Sequence, residues 1–295
     1  MPEFTQYNEL IIYKQFIELF NYSVIMTNLF NVKDKIIVIT GGSGILGTSM
    51  VHHFAGQGAK VVILDRNEET GIALQDSVRT HSGDAWFLYT DVLNKETLEK
   101  NYADIMAKQG RIDVLINGAG GNMPGATIAP DKTIFDLEMD AFKKVVDLNL
   151  FGTILPSMVF SKAMVEQKKG SIINIASESA IRPLTRVAGY GTAKAAVVNF
   201  TQYLAGELAT KFGEGLRVNA IAPGFFLTEQ NRSLLTNPDG SYTERAKTIL
   251  AHTPFRRFGE PEELLGTLQW LASDASKFVT GTLTVIDGGF DAFSI

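Results

Sequence analysis

The fold is decided by the stretch Lys35-Ile36-Ile37-Val38-Ile39-Thr40-Gly41-Gly42-Ser43-Gly44-Ile45-Leu46-Gly47. Its apolar run, Ile36–Ile39, is typical of a strand that is buried on both faces of a parallel sheet. A helical pattern follows the glycines. Glycines allow a tight turn and a close approach to a pyrophosphate, and the N-terminus of a helix offers N–H donors. The stretch predicts a dinucleotide-binding strand–turn–helix, although an ordinary turn between a strand and a helix has the same pattern.

Further apolar runs alternate with helical patterns along the rest of the chain. Strands are predicted at Val61–Leu64, Ala85–Tyr89, Val114–Ile116, Ser171–Ile175, Arg217–Ile221 and Leu283–Ile286. Helices are predicted between them, for example at Asn94–Gln109, Asp140–Gln167 and Ala188–Phe212. Alternating strands and helices build βαβ crossovers around one sheet. We therefore expect a single doubly wound α/β domain of the Rossmann type over residues 31–295, with a seven-stranded, mostly parallel sheet and helices on both faces.

Composition excludes several kinds of site and partner. The chain has 295 residues, four histidines and no cysteine, and its net charge is 27 − 32 = −5. Without cysteine there is no disulfide, no thiolate nucleophile and no cysteine-ligated metal, and four histidines offer little for a metal centre. An acidic chain is a poor partner for nucleic acid. We predict a cytoplasmic protein with no metal site and no nucleic-acid or membrane partner.

The first 30 residues have a pattern of their own. Apolar side chains recur there at helical spacing, at Leu10, Tyr13, Phe16, Ile17, Phe20 and Val24. Polar residues interrupt the run too often for a membrane span, and its acidic start lacks the basic region of a signal peptide. Residues 1–30 are predicted to be an appended helix whose apolar stripe adds to a subunit interface.

An acidic residue lies where a dinucleotide-binding fold requires one. Asp65 ends the second predicted strand, 65 − 47 = 18 residues after Gly47. A carboxylate at this point accepts hydrogen bonds from the adenosine ribose and repels a 2′-phosphate. The neighbouring Arg66 would soften that repulsion. The pattern favours NAD(H) over NADP(H).

A tyrosine and a lysine stand four residues apart in a predicted helix. Tyr190 and Lys194 therefore share a helix face, where a nearby ammonium would lower the pKa of the phenol toward neutral pH. Ser177 follows a predicted strand, at the sheet edge where open α/β folds bind their ligands. Taken singly, the tyrosine–lysine pair is also typical of a solvated helix face, and the serine of a helix cap.

These residues together resemble the short-chain dehydrogenase/reductase family, over about residues 30–293. Ser177 stands 190 − 177 = 13 residues before Tyr190, as in the family, and Asn149 matches its catalytic asparagine. Further matches are Asn117-Gly118-Ala119-Gly120, Asp91-Val92, and Pro223-Gly224 followed by Thr228. The chain departs from the family at Gly118, and its middle loop glycine, Gly44, comes one residue earlier than in the commonest family pattern.

The resemblance implies an oxidoreductase and assigns roles to these residues. Tyr190 would be the general acid/base, and Lys194 would lower its pKa and hold the nicotinamide ribose. Ser177 would orient the substrate oxygen, and Asn149 would position a water that relays protons. The cofactor contacts implied are Gly41, Ser43, Gly44, Ile45, Leu46, Gly47, Asp65, Arg66, Asp91, Val92, Asn117, Gly118, Ala119, Gly120, Tyr190, Lys194, Pro223, Gly224 and Thr228. A homotetramer is implied as well.

The substrate is predicted from a long connection near the end of the chain. Residues 225–258 are expected to form a lid, and their polar and charged content suits a polyhydroxylated substrate. Arg182 and Arg186 would clamp a carboxylate, unless they are surface residues paired with Glu178 or solvent. Several segments are similar to the D-mannonate oxidoreductases (fructuronate reductases), with gluconate 5-dehydrogenases as close neighbours. The substrate contacts implied are Asn122, Arg182, Arg186, Phe225, Gln230, Asn231 and Arg232.

Two other functions are weighed against a sugar-acid dehydrogenase. A regulator that only binds NAD(H) would need the nucleotide half of the site, yet Ser177, Tyr190, Lys194 and Asn149 are all present. A ketoacyl reductase acting on an acyl carrier would prefer NADP(H), which Asp65 disfavours. The sequence shows no cluster of basic residues to hold an acidic carrier.

Overall fold

Seven parallel strands form one sheet in the part of the chain that the structure describes. A computed structural model describes residues 14–15, 29–227, 232 and 235–292. The strand order is β3-β2-β1-β4-β5-β6-β7, and every pairing is parallel. The strands are β1 (Ile36–Thr40), β2 (Lys60–Asp65), β3 (Asp84–Tyr89), β4 (Val114–Asn117), β5 (Gly170–Ile175), β6 (Leu216–Pro223) and β7 (Leu283–Ile286).

Helices connect the strands, as the alternating pattern predicts. Asn67 and Asn94 cap two of them, because each side chain accepts a hydrogen bond from a backbone N–H of the first turn. The α-helices are α1 (Ile45–Gly56), α2 (Glu68–Thr80), α3 (Lys95–Gln109), α4 (Met139–Val146), α5 (Gly152–Gln167), α6 (Ala188–Phe212), α7 (Glu244–His252) and α8 (Leu265–Ala272). Short 3-10 helices are Pro124–Ala126, Ile134–Asp136, Glu178–Ala180, Pro261–Leu264 and Asp274–Ser276.

The single helix predicted over Asp140–Gln167 is interrupted. A π-helical turn, Asp147–Phe151, separates α4 from α5. Such turns insert an extra residue into the helical repeat and often occur at functional sites. Asn149 lies in this turn and is completely buried, while the apolar pattern on both sides continues unbroken. The periodicity of apolar residues cannot distinguish a continuous α-helix from one that a π-helical turn interrupts.

The sheet is covered on both faces, which confirms the doubly wound architecture. Helices α1, α2 and α8 pack on one face through residues such as Phe54, Val78 and Leu268. Helices α3, α5 and α6 pack on the other through residues such as Phe160 and Leu208. The chain leaves β1 toward one edge and β4 toward the other, and ligands bind in the crevice at such a switch point.

One helical stretch within the described residues is long and apolar enough to cross a membrane by length and composition. It runs over Met139–Gln167, and 56% of its most apolar window is buried inside the fold. Its C-terminal half packs against β4, β5 and α3. Packing of this kind is that of a core helix.

Two predicted segments are described only in part. The helical extension of residues 1–30 lies outside the described residues except at positions 14–15 and 29–30. The predicted lid, residues 225–258, contains α7 and a small apolar cluster of Leu235, Ala246, Ile249 and Phe258. This cluster packs parts of the lid against one another.

Candidate active site

The glycine turn after β1 is closed so tightly that side chains are excluded. Gly41 has a φ of +65°, and a Cβ there would lie 2.8 Å from the Cα of Ala119. A Cβ on Gly47 would lie 2.2 Å from the carbonyl oxygen of Gly41. The earlier position of Gly44 leaves this turn intact, since its N–H donates to the Gly41 carbonyl at 3.1 Å. Helix α1 thus presents its N-terminus to the crevice, as a pyrophosphate requires.

The carboxylate of Asp65 is fixed at the end of β2 beside this turn. Its Oδ2 accepts a hydrogen bond from the Ser43 N–H at 3.1 Å, and its Oδ1 accepts one from the Asn67 N–H at 3.2 Å. Two backbone donors hold the side chain in one orientation at the cleft wall. The arrangement fits the ribose hydroxyls of a dinucleotide and disfavours a further negative charge there.

The loop after β4 approaches β1 closely. The Thr40 hydroxyl accepts hydrogen bonds from the N–H groups of Gly118 and Ala119 at 3.1 and 3.2 Å. A Cβ on Gly118 would lie 2.8 Å from the Thr40 carbonyl oxygen, so the departure from the family pattern at this position fits the local packing. The loop after β4 therefore packs directly against the glycine turn and forms part of the cleft wall.

Asn117 is buried at the end of β4. Its side chain is 1% exposed and donates to Ser157 Oγ and Asn174 Oδ1, both at 2.8 Å. Asn174 in turn donates to Thr201 Oγ1 at 2.8 Å. The side chain of Asn117 thus joins β4 to α5 and β5, and its contact with a cofactor stays a prediction.

Asn149 braces the cleft from the π-helical turn. Its Nδ2 donates to the carbonyl oxygens of Gly121 and Val145 at 2.7 and 2.8 Å, and its Oδ1 accepts from the Gly121 N–H at 3.0 Å. A Cβ on Gly120 would lie 2.6 Å from that Oδ1 and 3.2 Å from Lys194 Nζ. The lack of a side chain at Gly120 therefore lets the loop after β4 lie close to both Asn149 and Lys194. The role of Asn149 in positioning water stays a prediction.

Ser177 and Tyr190 meet at the end of β5. Ser177 caps the 3-10 helix that follows, because its Oγ accepts two hydrogen bonds from Ser179. One comes from the Ser179 backbone N–H at 3.2 Å and the other from the Ser179 hydroxyl at 3.0 Å. With both donors directed at this oxygen, the Ser177 proton is available for another acceptor. Desolvation raises the pKa of Tyr190, and a hydrogen bond with the Ser177 side chain lowers it. The serine thus acts on the tyrosine hydroxyl directly.

Lys194 is buried beneath these two residues. It is 3% exposed, and its Nζ donates to the Ile175 carbonyl at 2.7 Å and lies 5.6 Å from the centre of the Tyr190 ring. Burial lowers the pKa of Lys194 to about 8. Desolvation by burial raises the pKa of Tyr190, and a lowering of that pKa by Lys194 stays a prediction. Burial therefore disfavours the charged form of each group, although the Lys194 side chain still carries its proton at neutral pH.

A cleft of about 680 Å³ collects most of the predicted residues. Its size is in the range of small-molecule and cofactor sites. The predicted residues that line it are Gly41, Gly44, Ile45, Leu46, Gly47, Asp65, Arg66, Asp91, Val92, Gly118, Ala119, Gly120, Ser177, Tyr190, Lys194, Pro223, Gly224 and Phe225. The nucleotide half and the candidate catalytic residues are thus parts of one continuous site.

Other predicted residues lie outside the cleft wall or outside the described residues. Ser43, Asn117, Asn122, Asn149, Arg182, Arg186 and Arg232 are described but are not lining residues. Thr228, Gln230 and Asn231 lie outside the described residues. Asn122 Nδ2 donates to Thr127 Oγ1 at 2.7 Å, and Arg232 is exposed.

The two arginines predicted to clamp a carboxylate are bonded within the protein. Arg182 Nε donates to Asp291 Oδ1 at 2.7 Å, and its Nη2 donates to the Asp291 carbonyl. Arg186 Nε donates to the Ile128 carbonyl at 2.9 Å. Either guanidinium would have to leave these partners to reach a substrate, so their role as a clamp stays a prediction.

Several lining residues are absent from the sequence-based prediction. They include Gly121 and Met123 after β4, and Lys144, Asp147 and Leu148 on the helical segment before Asn149. Asp147 and Leu148 directly precede Asn149 in the π-helical turn, so their closeness in sequence to Asn149 is a usable signal for this wall. Lys144 adds an exposed cation to the cleft. Within the described residues, no group of three or more acidic or histidine side chains is placed to hold a metal ion.

Comparison with known proteins agrees with this geometry. A family model described as short chain dehydrogenase matches residues 35–239. The chain is 45% identical over 273 residues to the uncharacterised oxidoreductase UxuB of Bacillus subtilis strain 168, with 90% of this chain and 97% of that protein covered.

Two solved structures are similar over nearly the whole chain. One, from Haemophilus influenzae with bound NAD, is provisionally described as a D-mannonate oxidoreductase; it is 40% identical with a TM-score of 0.84, covering 90% of this chain and 97% of that one. The other is a gluconate 5-dehydrogenase from Burkholderia cenocepacia in complex with NADP and tartrate. It is 30% identical with a TM-score of 0.81, covering 90% of this chain and 99% of that one.

Proposed function

Because the chain belongs to the short-chain dehydrogenase family, we propose that it is an NAD(H)-dependent oxidoreductase that interconverts a hydroxyl group and a ketone of a sugar acid. The observation that carries this proposal is the meeting of Ser177, Tyr190 and Lys194 in the same cleft as Asp65 and the glycine turn. A bound nicotinamide supplies or accepts the hydride, as in other dehydrogenases.

The residues of the chain handle the proton. In the reducing direction, the Tyr190 hydroxyl donates its proton to the ketone oxygen, and in the oxidising direction its ionised form accepts the proton from the hydroxyl. Ser177 donates a hydrogen bond to the same oxygen, and one such donor contributes about 2.7–4 kcal/mol to stabilising the developing charge. An ammonium has three N–H donors. Lys194 uses one of them on the Ile175 carbonyl, which leaves the others for a ribose and for proton transfer.

We propose NAD(H) as the preferred cofactor. The Asp65 carboxylate, held by two backbone N–H groups, supports this choice because a 2′-phosphate would lie against a fixed negative charge. One similar structure contains NAD and another contains NADP, so the family accommodates both cofactors. The neighbouring cation, Arg66, lines the cleft and is exposed.

D-mannonate and D-fructuronate are the proposed substrate pair. The Haemophilus structure described as a D-mannonate oxidoreductase supports it, as do the polar residues of the lid. The alternatives are gluconate 5-dehydrogenase activity, for which a similar structure exists, and reduction of ketoacyl groups. We also propose that the protein works as a cytoplasmic homotetramer.

The test is NADH consumption with a panel of keto sugar acids that includes fructuronate and 5-ketogluconate. Each assay is repeated with NADPH and with the Tyr190→Phe variant. Turnover of fructuronate with NADH that Tyr190→Phe abolishes is the expected result. Faster turnover of 5-ketogluconate would replace the substrate and keep the mechanism. NADH binding without turnover of any sugar acid would contradict the proposal and favour a regulator or another substrate class.

A further inference from the structure

A carboxylic acid without a hydrogen-bond partner is buried directly beside the candidate catalytic serine. Glu178 follows Ser177 in the chain and is 1% exposed. Neither of its carboxyl oxygens has a hydrogen-bond partner among the described residues. Burying an ionised carboxylate in this way is very costly, and most buried polar groups are paired. Glu178 is not a lining residue of the cleft, so contact with a substrate does not explain it.

The charges around Glu178 disfavour its ionised form. Burial raises the pKa of its carboxyl to about 7, and the carboxylates of Asp291 and Asp287 add to this rise, while Arg182 opposes it. The Arg182 guanidinium is already bonded to Asp291, with its Nε at 2.7 Å from Oδ1. An ionised Glu178 would therefore be the third carboxylate beside a single guanidinium.

Helix α6 and strand β6 also pack against this turn. The titratable groups that α6 brings to this end are Tyr190 and Lys194. The Tyr190 hydroxyl is hydrogen-bonded with Ser177, and the Lys194 ammonium is bonded to the Ile175 carbonyl. Neither Tyr190 nor Lys194 is among the groups that shift the pKa of Glu178.

The two aspartates belong to a segment that joins opposite walls of the site, and we name Asp287–Asp291 the C-terminal clasp. At its end it bonds Arg182, four residues after Glu178. Its Phe290 ring packs edge-on against Phe225, a lining residue, with 5.2 Å between ring centres. At its start, Asp287 lies so close to Gly224 that a Cβ there would come within 2.6 Å of the Asp287 Cβ. Movement of the clasp would thus disturb both walls.

We propose that Glu178 is a positioning residue whose neutral form allows the C-terminal clasp to stay packed against the turn that carries Ser177. Ionisation of Glu178 adds a buried negative charge facing Asp287 and Asp291, and this repulsion loosens the clasp. Glu178 acts through the clasp and Ser177, without touching the reacting atoms. The inference rests on the proposed function for the role of Ser177, and it adds a proton-controlled element to the site.

The sign and size of the effect follow from linkage. The pKa of Glu178 is about 7 with the clasp docked, against an ordinary value of 4.5. The contribution of Glu178 to docking of the clasp is therefore fully present below pH 4.5 and is lost as the pH rises through 7. In this proposal, undocking of the clasp exposes the Glu178 carboxyl to water and returns its pKa to the ordinary value. The two values then correspond to a loss of about tenfold in the docking equilibrium between pH 6 and pH 8.

The experiment is hydrogen–deuterium exchange of the peptide that contains the clasp, in the full-length protein at pH 6 and pH 8. Rates are corrected for the intrinsic effect of pH on amide exchange. The N–H groups of Gly289 and Asp291 report the internal order of the clasp, since both donate to the Asp287 carboxylate within it. The N–H of Phe255 reports contact of the clasp with the rest of the fold, since it donates to the Gly288 carbonyl. We expect protection of the clasp to fall about tenfold in the wild type between these pH values. In Glu178→Gln, protection should be high and independent of pH.

The matched control is Glu214→Gln, a neutralised glutamate on an exposed turn, which should keep the wild-type dependence on pH. Protection in the wild type that does not change with pH would overturn the proposal, even if Glu178→Gln fails to fold. The same would follow if Glu178→Gln kept the wild-type dependence. Exchange is measured without substrate, so a failure of the proposed function would leave this result standing.

Discussion

The backbone N–H of Ser43 donates to the carboxylate of Asp65 at 3.1 Å, which joins the glycine turn to the end of β2. The acceptor is thereby fixed where a ribose hydroxyl would bind and where a 2′-phosphate would be repelled. Electrostatic repulsion between two such charges is of the order of 1 kcal/mol at 4 Å in water and larger near a protein surface. The hydrogen bond therefore links the shape of the turn to the choice of cofactor.

Neutralising Asp65 should shift this choice. In Asp65→Asn we expect kcat/KM with NADPH to rise by about tenfold, because about 1.4 kcal/mol of repulsion is removed. The kcat/KM with NADH should fall, since an amide is a weaker acceptor for the ribose hydroxyls than a carboxylate. Initial rates with both cofactors at fixed ionic strength measure the ratio of kcat/KM for NADPH to kcat/KM for NADH. Glu68→Gln, an exposed neutralisation nearby in α2, should leave it unchanged.

A methyl group on Gly47 should abolish cofactor binding. In Gly47→Ala the new Cβ would lie 2.2 Å from the Gly41 carbonyl oxygen, so the turn must open. We expect the Kd for NADH to rise by more than about 100-fold, as the N–H donors of the turn are displaced. Fluorescence titration of NADH measures this change.

Gly56→Ala is the matched control for that variant. Gly56 ends the same helix, and a Cβ there would meet nothing within 4 Å. It should bind NADH as the wild type does, and alanine should stabilise the helix by up to about 1 kcal/mol. Equal Kd values for Gly47→Ala and Gly56→Ala would show that the turn tolerates a side chain, contrary to its geometry.

Asn117 should prove to be a structural residue. Replacing it with alanine leaves the Ser157 hydroxyl without the donor it has now and removes the donor to Asn174 Oδ1, beneath the cleft. We expect a loss of about 1–3 kcal/mol in the free energy of unfolding, as for other broken buried hydrogen bonds. Urea denaturation measures it, and the KM for NADH should stay near that of the wild type. A large rise in that KM at unchanged stability would instead support the cofactor role predicted from the sequence.

The sequence predicts the parts of the site that depend on local pattern. The apolar run Ile36–Ile39, the glycines of the turn, and the spacing of Tyr190 and Lys194 along one helix face all have local causes. The cleft therefore contains most of the residues expected in it.

What the sequence does not predict depends on partners far away in the chain. Arg182 bonds Asp291, which is 109 residues further along, and Asn117 bonds Asn174 across 57 residues. No periodicity reports such pairs. The π-helical turn at Asp147–Phe151 is hidden for another reason, since its apolar residues continue the pattern of the helices on either side.

The buried ammonium of Lys194 should make the protein less stable at neutral pH than an apolar side chain would. Its pKa is lowered from 10.5 to about 8 by burial, so its charged form is disfavoured in the folded state. Below pH 8, Lys194 is charged in both the folded and the unfolded chain, so the full cost of burying its ammonium lowers the free energy of unfolding. Between pH 8 and pH 10.5, Lys194 is deprotonated in the folded chain but still protonated in the unfolded chain. The contribution of Lys194 to the free energy of unfolding therefore rises with pH in this range.

Replacing Lys194 with methionine removes that penalty together with one hydrogen bond to the Ile175 carbonyl. A shift of this size corresponds to about 3 kcal/mol, from which the lost hydrogen bond takes about 1 kcal/mol. We expect Lys194→Met to be inactive yet more stable than the wild type by about 2 kcal/mol at pH 7. The gain should shrink as the pH rises from 8 to 10.5. Urea denaturation across this range measures both, and a variant less stable than the wild type at pH 7 would contradict the argument.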